Sequence, residues 1–247
     1  MATSFGALCT DFYVNQKLAL KMDLPSERET LLHLMDRVRK SYPAMTRFRR
    51  YDGELALESS RREPEYRWLT LRRTSLRAGH VNPDAMEDAY RYHRDLLELA
   101  PPYLSISPID VDYLEVLFGF DLECEDNHDE VVYHALVDDT PMAAMLNVPG
   151  AKHLDVQPVF GLSLTPSGDT QAYFEVKTRP KNRRGSSRAG EPISLFVTVR
   201  RYGPVEDVTH LLGLFDELAR QAETLATDRL VPHMLAPIAR HITSSSA

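Results

Sequence analysis

Between Ile109 and Cys124 the large apolar residues fall on every second position, Leu114, Val116, Phe118, Phe120 and Leu122. A period of two is the signature of a strand with one face in a core and the other turned outward. Five consecutive matches leave little room for a helix, so this chain must build a sheet with at least one covered face. The same alternation appears in Phe12, Val14, Leu18, Leu20 and Met22, near the N-terminus. It returns in the second half in Leu154, Val156, Phe160, Leu162 and Leu164, then in Ala172, Phe174 and Val176, and again in Ile193, Leu195, Val197 and Val199.

Helical periodicity lies between these strands. Ser26 and Glu29 have capping-box spacing, and Leu31, Leu34, Met35 and Val38 follow on one face until Pro43. Asn82-Pro83 has the form of an N-cap followed by proline at the first helical position. Met86, Ala89, His93, Leu96, Leu97 and Ala100 then share a face until Pro101-Pro102 stops it. Strands are expected at Met45–Tyr51, Glu54–Ser59 and Tyr66–Leu76, with Asp52-Gly53 as a hairpin turn. Counting the first two as one strand with a hairpin tip, residues 10–124 read β-α-β-β-α-β, a ferredoxin-like order. Residues 125–247 read as a second half, an antiparallel three-stranded meander closed by a long C-terminal helix. That helix carries Val208, Leu211, Phe215, Leu218, Ala222 and Leu225 on one stripe and is broken by Pro232 and Pro237. The expected fold class is α+β.

Charge is unevenly spread. The whole chain has a net charge of −7, yet residues 101–178 hold only Lys152 and Lys177 against 14 acids. Such a segment repels nucleic acid and suits cations or a basic partner, although a solvated acidic surface accounts for the same residues. Within it, Asp126, His128, Glu130 and His134 form the candidate metal set, since carboxylates and imidazoles at this density suit a divalent ion. Glu130 and His134 are i,i+4 on an expected helix over 127–137, as are His134 and Asp138. Neither H-E-x-x-H nor an EF-hand loop is present.

The opposite charge gathers in the segment from Arg179 to Gly190. Its basic residues Arg179, Lys181, Arg183, Arg184 and Arg188 stand among Gly and Ser with no acid, which suits phosphate, RNA or an acidic protein surface. No aromatic residue is interleaved there for base stacking. In the first half, Arg47, Arg49, Arg50, Arg61, Arg62, Arg67, Arg72, Arg73 and Arg77 are accompanied by Glu54, Glu58, Glu63 and Glu65. Cross-strand ion pairs are the expected use of these residues; the alternative is an exposed sheet face for RNA that they line together with Tyr66 and Trp68, although the RNP-type aromatic pattern is absent.

Two cysteines, Cys9 and Cys124, are too few for a disulfide framework and are expected as free thiols. No apolar run approaches the roughly 18 residues needed to span a bilayer, and Met1–Thr10 lacks the basic and apolar regions of a secretory signal. A cytoplasmic protein without membrane contact is expected. No phosphate-binding glycine loop and no nucleophile elbow occur, so no catalytic residue and no cofactor are indicated.

The run Leu154–Thr165, Gln171–Thr178, Ile193–Tyr202, followed by a long helix containing Leu214-Phe215-Asp216-Glu217-Leu218, resembles a sporadically distributed bacterial family of similar length with no assigned function. In order of elements, three strands and then a long helix, it is also similar to the SecB export chaperone. The resemblance covers element order over most of the chain and implies no site residue; it lowers the expectation of an enzyme. A binding or interaction protein is the leading expectation, with a protein partner or self-association through the C-terminal helix and an exposed strand edge. A nucleic-acid-binding or RNA-processing protein that uses the 179–190 segment is the alternative.

Overall fold

A computed structural model describes residues 4–178 and 191–245 of the chain. The chain runs β1 (Asp11–Leu20), α1 (Arg28–Ser41), β2 (Arg47–Tyr51), β3 (Glu54–Glu58), β4 (Tyr66–Arg72), β5 (Ser75–Val81) and α2 (Met86–Leu104). It continues with β6 (Val111–Leu122), α3 (His128–Leu136), α4 (Ala143–Leu146), β7 (Val159–Ser163), β8 (Thr170–Lys177) and β9 (Ile193–Tyr202). The last elements are α5 (His210–Leu225), a π-helical stretch (Ala226–Leu235) and α6 (Ala236–Ser245). The described strands form one nine-stranded sheet in the order β2-β3-β4-β5-β1-β6-β9-β8-β7. The fold is α+β, and β6 joins its halves by pairing with β1 on one side and β9 on the other.

The ferredoxin-like order expected for residues 10–124 does not form. Four strands lie between α1 and α2, because a turn at Arg73-Thr74 divides the expected Tyr66–Leu76 strand into β4 and starts β5. Every paired neighbour is antiparallel, and β2 and β3 extend the sheet beyond β4 by two strands that the expected four-stranded order lacks. Instead each half has a strand, a helical segment, a meander whose last strand returns beside the first, and a closing helix. In the second half that meander is β7-β8-β9, as expected, but β7 begins only at Val159 and is exposed throughout, so the buried face expected of all three strands ends at β8.

One face of the sheet is buried under helices. Phe12, Val14 and Leu18 of β1, Leu114, Val116, Phe118 and Phe120 of β6, and Leu195, Val197 and Val199 of β9 have no exposed surface. Phe5 completes an aromatic cluster there, with its ring centroid 5.1 Å from Phe12 and 5.6 Å from Phe120. Leu34, Met35 and Val38 supply the buried stripe of α1. Tyr92, His93, Leu96, Leu97 and Ala100 do so in α2, and Leu211, Phe215, Leu218, Ala219 and Ala222 in α5.

Four helix boundaries depart from expectation for local reasons. The N-cap of α1 is Glu27, without a side-chain cap, so the Ser26–Glu29 box is not made. Asn82 does not cap α2. It sits at φ 48° and ties strand ends instead: its Oδ1 accepts from the Phe12 amide at 2.9 Å and its Nδ2 donates to Asp11 at 2.6 Å. Pro101 and Pro102 lie inside the last turn of α2, which ends at left-handed Ser105 (φ 53°). Pro232 and Pro237 likewise fail to stop the C-terminal helix. The backbone widens to a π-helix around Pro232, which accommodates its ring and missing donor, and then resumes as α6.

At the centre, His93 of α2 has no exposed surface, and its Nε2 reaches the Val14 carbonyl at 3.0 Å. Burial drives its pKa from 6.5 down to about 3, against the opposing effect of the Val14 hydrogen bond. The ring is therefore neutral when folded and gains a proton more readily when unfolded. The unfolded chain binds more protons between pH 6.5 and about 3, so this group's contribution makes stability fall as pH falls through that window. Replacing His93 with Gln is expected to flatten the stability–pH curve there by up to one proton, about 1.4 kcal/mol per pH unit. Urea unfolding at several pH values measures the slope.

Candidate functional site

The second face of the sheet carries a different set of side chains. In β1 these are Asp11, Tyr13, Asn15 and Lys17, all partly exposed, in alternation with the buried positions. Tyr113, Glu115, Leu117 and Asp121 play the same part in β6, Phe196, Thr198 and Arg200 in β9, and Gln171, Tyr173 and Glu175 in β8. Tyr66 and Trp68 extend the array onto β4. The result is a broad surface rich in Tyr, Trp and Phe, with charges of both signs between the rings.

Register explains why the rings lie where they do. Tyr13 stands opposite Gly119, Trp68 opposite Gly79, and Tyr173 opposite Gly161. A Cβ at Gly119 would fall within the Tyr13 ring, and one at Gly79 would collide with Trp68 and with Asn15 Oδ1. At Gly161 it would meet Tyr173 at 3.0 Å. Each glycine thus allows an aromatic side chain to fold flat across the neighbouring strand rather than stand up from it. This is the cross-strand aromatic–glycine device that compensates a glycine's missing side chain in a sheet.

Arg200 is the electrostatic centre of the face. Its guanidinium lies 4.5 Å from the Tyr113 ring centroid, 5.5 Å from Tyr202 and 5.8 Å from Tyr173. Nε donates to Glu115 at 2.7 Å and Nη1 to the Tyr202 hydroxyl at 2.6 Å. Burial works against its charge, but Glu115 and Tyr202 outweigh it and raise its pKa further. Lys17 donates to the Tyr113 hydroxyl and sits 4.9 Å from the centroid of that ring. Rings and cations therefore hold one another in place.

The candidate metal residues are spread along and before α3. Asp126 is exposed, whereas His128 is buried with Nε2 3.2 Å from the Cys124 carbonyl. Glu130 accepts from His153 Nδ1 at 2.8 Å and from the His153 amide at 3.3 Å. Burial opposes its ionisation, but the His153 hydrogen bonds prevail and hold its pKa below the usual value. His134 contacts Asp138 at 3.0 Å, approaches Glu130 at 3.9 Å and stacks on His241 with centroids 5.4 Å apart. Glu130 and His134 thus do share a face of α3, but they are engaged with different neighbours. Among the described residues no group of three or more His, Cys, Asp or Glu side chains is placed to hold a metal ion.

The neighbouring Asp129, absent from that candidate set, has the more definite task. Buried at 3% exposure, its Oδ1 accepts from Thr178 Oγ1 at 2.7 Å and from the Val156 amide at 2.9 Å. It fastens α3 to the end of β8 and to the chain entering β7. Part of the acidic middle segment is therefore internal clasp rather than outward charge.

Arg179, Lys181, Arg183, Arg184 and Arg188 lie outside the described residues. The basic residues of the first half are largely paired, as their interleaved acids imply: Arg61 with Glu58 at 2.9 Å, Arg67 with Glu65 at 2.7 Å, and Arg72 with Glu54. Cys9 and Cys124 are free thiols, and burial pushes the Cys9 pKa up to about 12. Among the described residues, no helix is long and apolar enough to cross a membrane.

No known family model and no curated protein sequence matches the chain. Among solved structures it is similar to the di-domain ARO/CYC BexL from the BE-7585A biosynthetic pathway, at 8% identity over 93% of this chain and 98% of that one. With a TM-score of 0.21 the overlap is too slight to carry fold or function across.

The aromatic–glycine pairs make a direct test. Gly119→Ala is expected to destabilise the protein by about 1–3 kcal/mol through forced movement of Tyr13, and Tyr13→Ala in the same chain should recover part of the loss. Gly213→Ala, on α5 where nothing lies within 4 Å of the added carbon, should instead stabilise by up to about 1 kcal/mol. Urea unfolding midpoints measure all three.

Proposed function

We propose that this chain is a binding protein of the cytoplasm, without catalytic chemistry of its own, and that its helix-free sheet face is where a protein partner docks. The observation that carries this reading is the cluster of Tyr113, Tyr173 and Tyr202 around Arg200, anchored by Glu115. Trp, Tyr and Arg are the residue types that dominate binding energy at protein interfaces, because they combine large apolar area with a polar handle. Half-buried rings already fixed by glycines and by cation contacts lose little further freedom on binding.

The charge pattern supports a protein partner over a phosphate backbone. Among the described residues of β1, β5, β6, β8 and β9, Lys17, Arg77, Lys177 and Arg200 on this face are matched by Asp11, Glu115, Asp121 and Glu175, so these five strands offer no net positive charge to a phosphate backbone. The C-terminal helix is a weaker candidate than its sequence stripe suggested. Leu211, Phe215, Leu218 and Ala222, the heart of that stripe, are buried in the protein's own core.

A photo-crosslinking residue at Phe196, on the face, is compared with one at Arg37, on the exposed side of α1, in cells that naturally make the protein. A discrete adduct at Phe196 alone, weakened by Tyr202→Ala, is the expected result. The loss should approach the roughly 2 kcal/mol of a hot-spot residue, about thirtyfold in affinity. Equal labelling from both positions, or none from Phe196, would overturn the reading.

A further inference from the structure

The two edges of the sheet are built on opposite plans. At one end β2 reads Arg-Phe-Arg-Arg-Tyr, and its three arginines at 47, 49 and 50 guard the edge with charge. At the other end β7 reads Val-Phe-Gly-Leu-Ser, and all five residues are exposed. Val159 is 57% exposed, Phe160 56% and Leu162 49%. The 13 residues from Val156 to Gly168 contain no charged side chain. Natural sheets normally protect a free edge with charge, proline or a bulge, because unpaired backbone groups and apolar side chains invite another strand. Here β7 has no such guard within the strand.

The hydrogen-bond phase of β7 defines which groups are available. The Val176 amide donates to the Pro158 carbonyl at 3.0 Å and the Leu164 amide to the Thr170 carbonyl at 2.8 Å. With the pairs Phe160↔Phe174 and Leu162↔Ala172 between them, the even-numbered positions turn their backbone groups toward β8. In an antiparallel ladder the alternate residues then turn theirs the other way. The amides and carbonyls of Val159, Gly161 and Ser163 therefore point off the edge of the sheet, where no strand among the described residues meets them.

The geometry points to a second copy of this chain as the occupant, with β7 pairing against its own copy in antiparallel register about a two-fold axis at Gly161. That register is self-complementary. Gly161 faces the second copy's Gly161, and Val159 faces the second copy's Ser163, so every outward amide meets an outward carbonyl. Phe160 lies beside the second copy's Leu162, and the reverse contact follows from the symmetry. Four apolar side chains that are half-exposed in one copy thus cover one another on the helix side of the joined sheet. No charged residue opposes another along the strand, and the shared symmetry makes the contact closed rather than propagating. A shift by two residues would bring a β7 residue opposite Pro158 or Thr165 and uncouple Phe160 from Leu162. The result is a sheet continuous across two copies, with the aromatic face of each turned to the same side. This contact is separate from the proposed partner face and does not depend on it.

The full-length protein tests the inference through its mass and its amides. Native mass spectrometry and sedimentation from low to high micromolar concentration should give a monomer–dimer equilibrium. Backbone amide exchange should slow at Val159, Gly161 and Ser163 as the dimer forms, while Phe160 and Leu162, already bonded to β8, stay slow throughout. Leu162→Lys, and independently Phe160→Lys, should weaken the dimer at least about tenfold, because each sets a charged lysine against the second copy's apolar Phe160 or Leu162 and loses the apolar contact there. Their circular dichroism and urea midpoints should stay near those of the wild type, because both side chains are already half-exposed. Phe48→Lys on the guarded edge should leave the dimer intact. A monomer at every concentration would overturn the inference. So would a dimer indifferent to both lysine substitutions, or one whose three outward amides exchange freely. Loss of the dimer with an unchanged Phe196 crosslink would show the two surfaces to be independent.

Discussion

Pairing of β1 with β6 carries the two halves of the molecule. Ten residues of β1 run antiparallel to β6, from Asp11 opposite Asp121 to Leu20 opposite Val111. On the covered side Phe5, Phe12, Phe118 and Phe120 interlock, the ring planes of Phe12 and Phe118 crossing at 81°. On the open side the Tyr13 ring lies over Gly119, and its hydroxyl donates to Asp121 at 3.2 Å. All other strands hang from this pair, β5 and its neighbours on one flank and β9 and its neighbours on the other. The helices then have a single floor to pack on. α2 and α5 meet above it, where Tyr90 donates to Glu223 at 2.8 Å and Phe215 packs beside His93. A seam of two long, densely paired strands costs much backbone entropy, and burial of the aromatic cluster with the aliphatic core around it offsets that cost.

That arrangement leaves the molecule lopsided in chemistry. The covered face is a conventional aliphatic and phenylalanine core, while the open face concentrates tyrosine, tryptophan and arginine. The polar positions of the strands are therefore filled by groups that gain from being half-wet, with apolar ring bodies laid on the sheet and hydroxyls or guanidinium groups directed at one another. Glu115 and Arg200 show how the face tolerates charge. The pair sits between rings, its donors are used, and neither partner is left alone in a dry environment.

Much of this was legible in the residues. The alternation of Leu114, Val116, Phe118, Phe120 and Leu122 gave the covered face of β6 without error, and the helix expected over 127–137 forms as α3. The β7-β8-β9 meander and the Asp52-Gly53 hairpin, with Gly53 at φ 70°, were equally plain. The topology of the first half was not, because Arg73-Thr74 contains neither Gly nor Asn to mark a hairpin, and the strand it hides, Ser75–Val81, includes Gly79. Of the open face only Tyr66 and Trp68 were legible, and its extension onto β1, β6, β8 and β9 was missed. Its signal was present in Tyr13, Tyr113, Tyr173 and Phe196, aromatics at the supposedly polar phase of their strands. Their meaning depends on Gly119 and Gly161 standing opposite Tyr13 and Tyr173, and cross-strand register cannot be read from one strand at a time. The acidic stretch around Asp129 misled for a related reason, since a carboxylate that bonds Thr178 and Val156 looks in sequence like any other solvated acid.

The seam also has a history within each molecule as it is made. The Tyr13–Asp121 hydrogen bond spans 108 residues, so β1 leaves the ribosome long before the strand that completes it. It can pair with β5 once Val81 has emerged, and α1 and α2 can then settle on one side. Its other edge, with the rings of Phe12 and Tyr13, must wait for β6. A nascent chain paused between α2 and β6 therefore displays a half-built sheet whose free edge is β1. Such a species is the natural target of a holdase chaperone and the natural seed of aggregation.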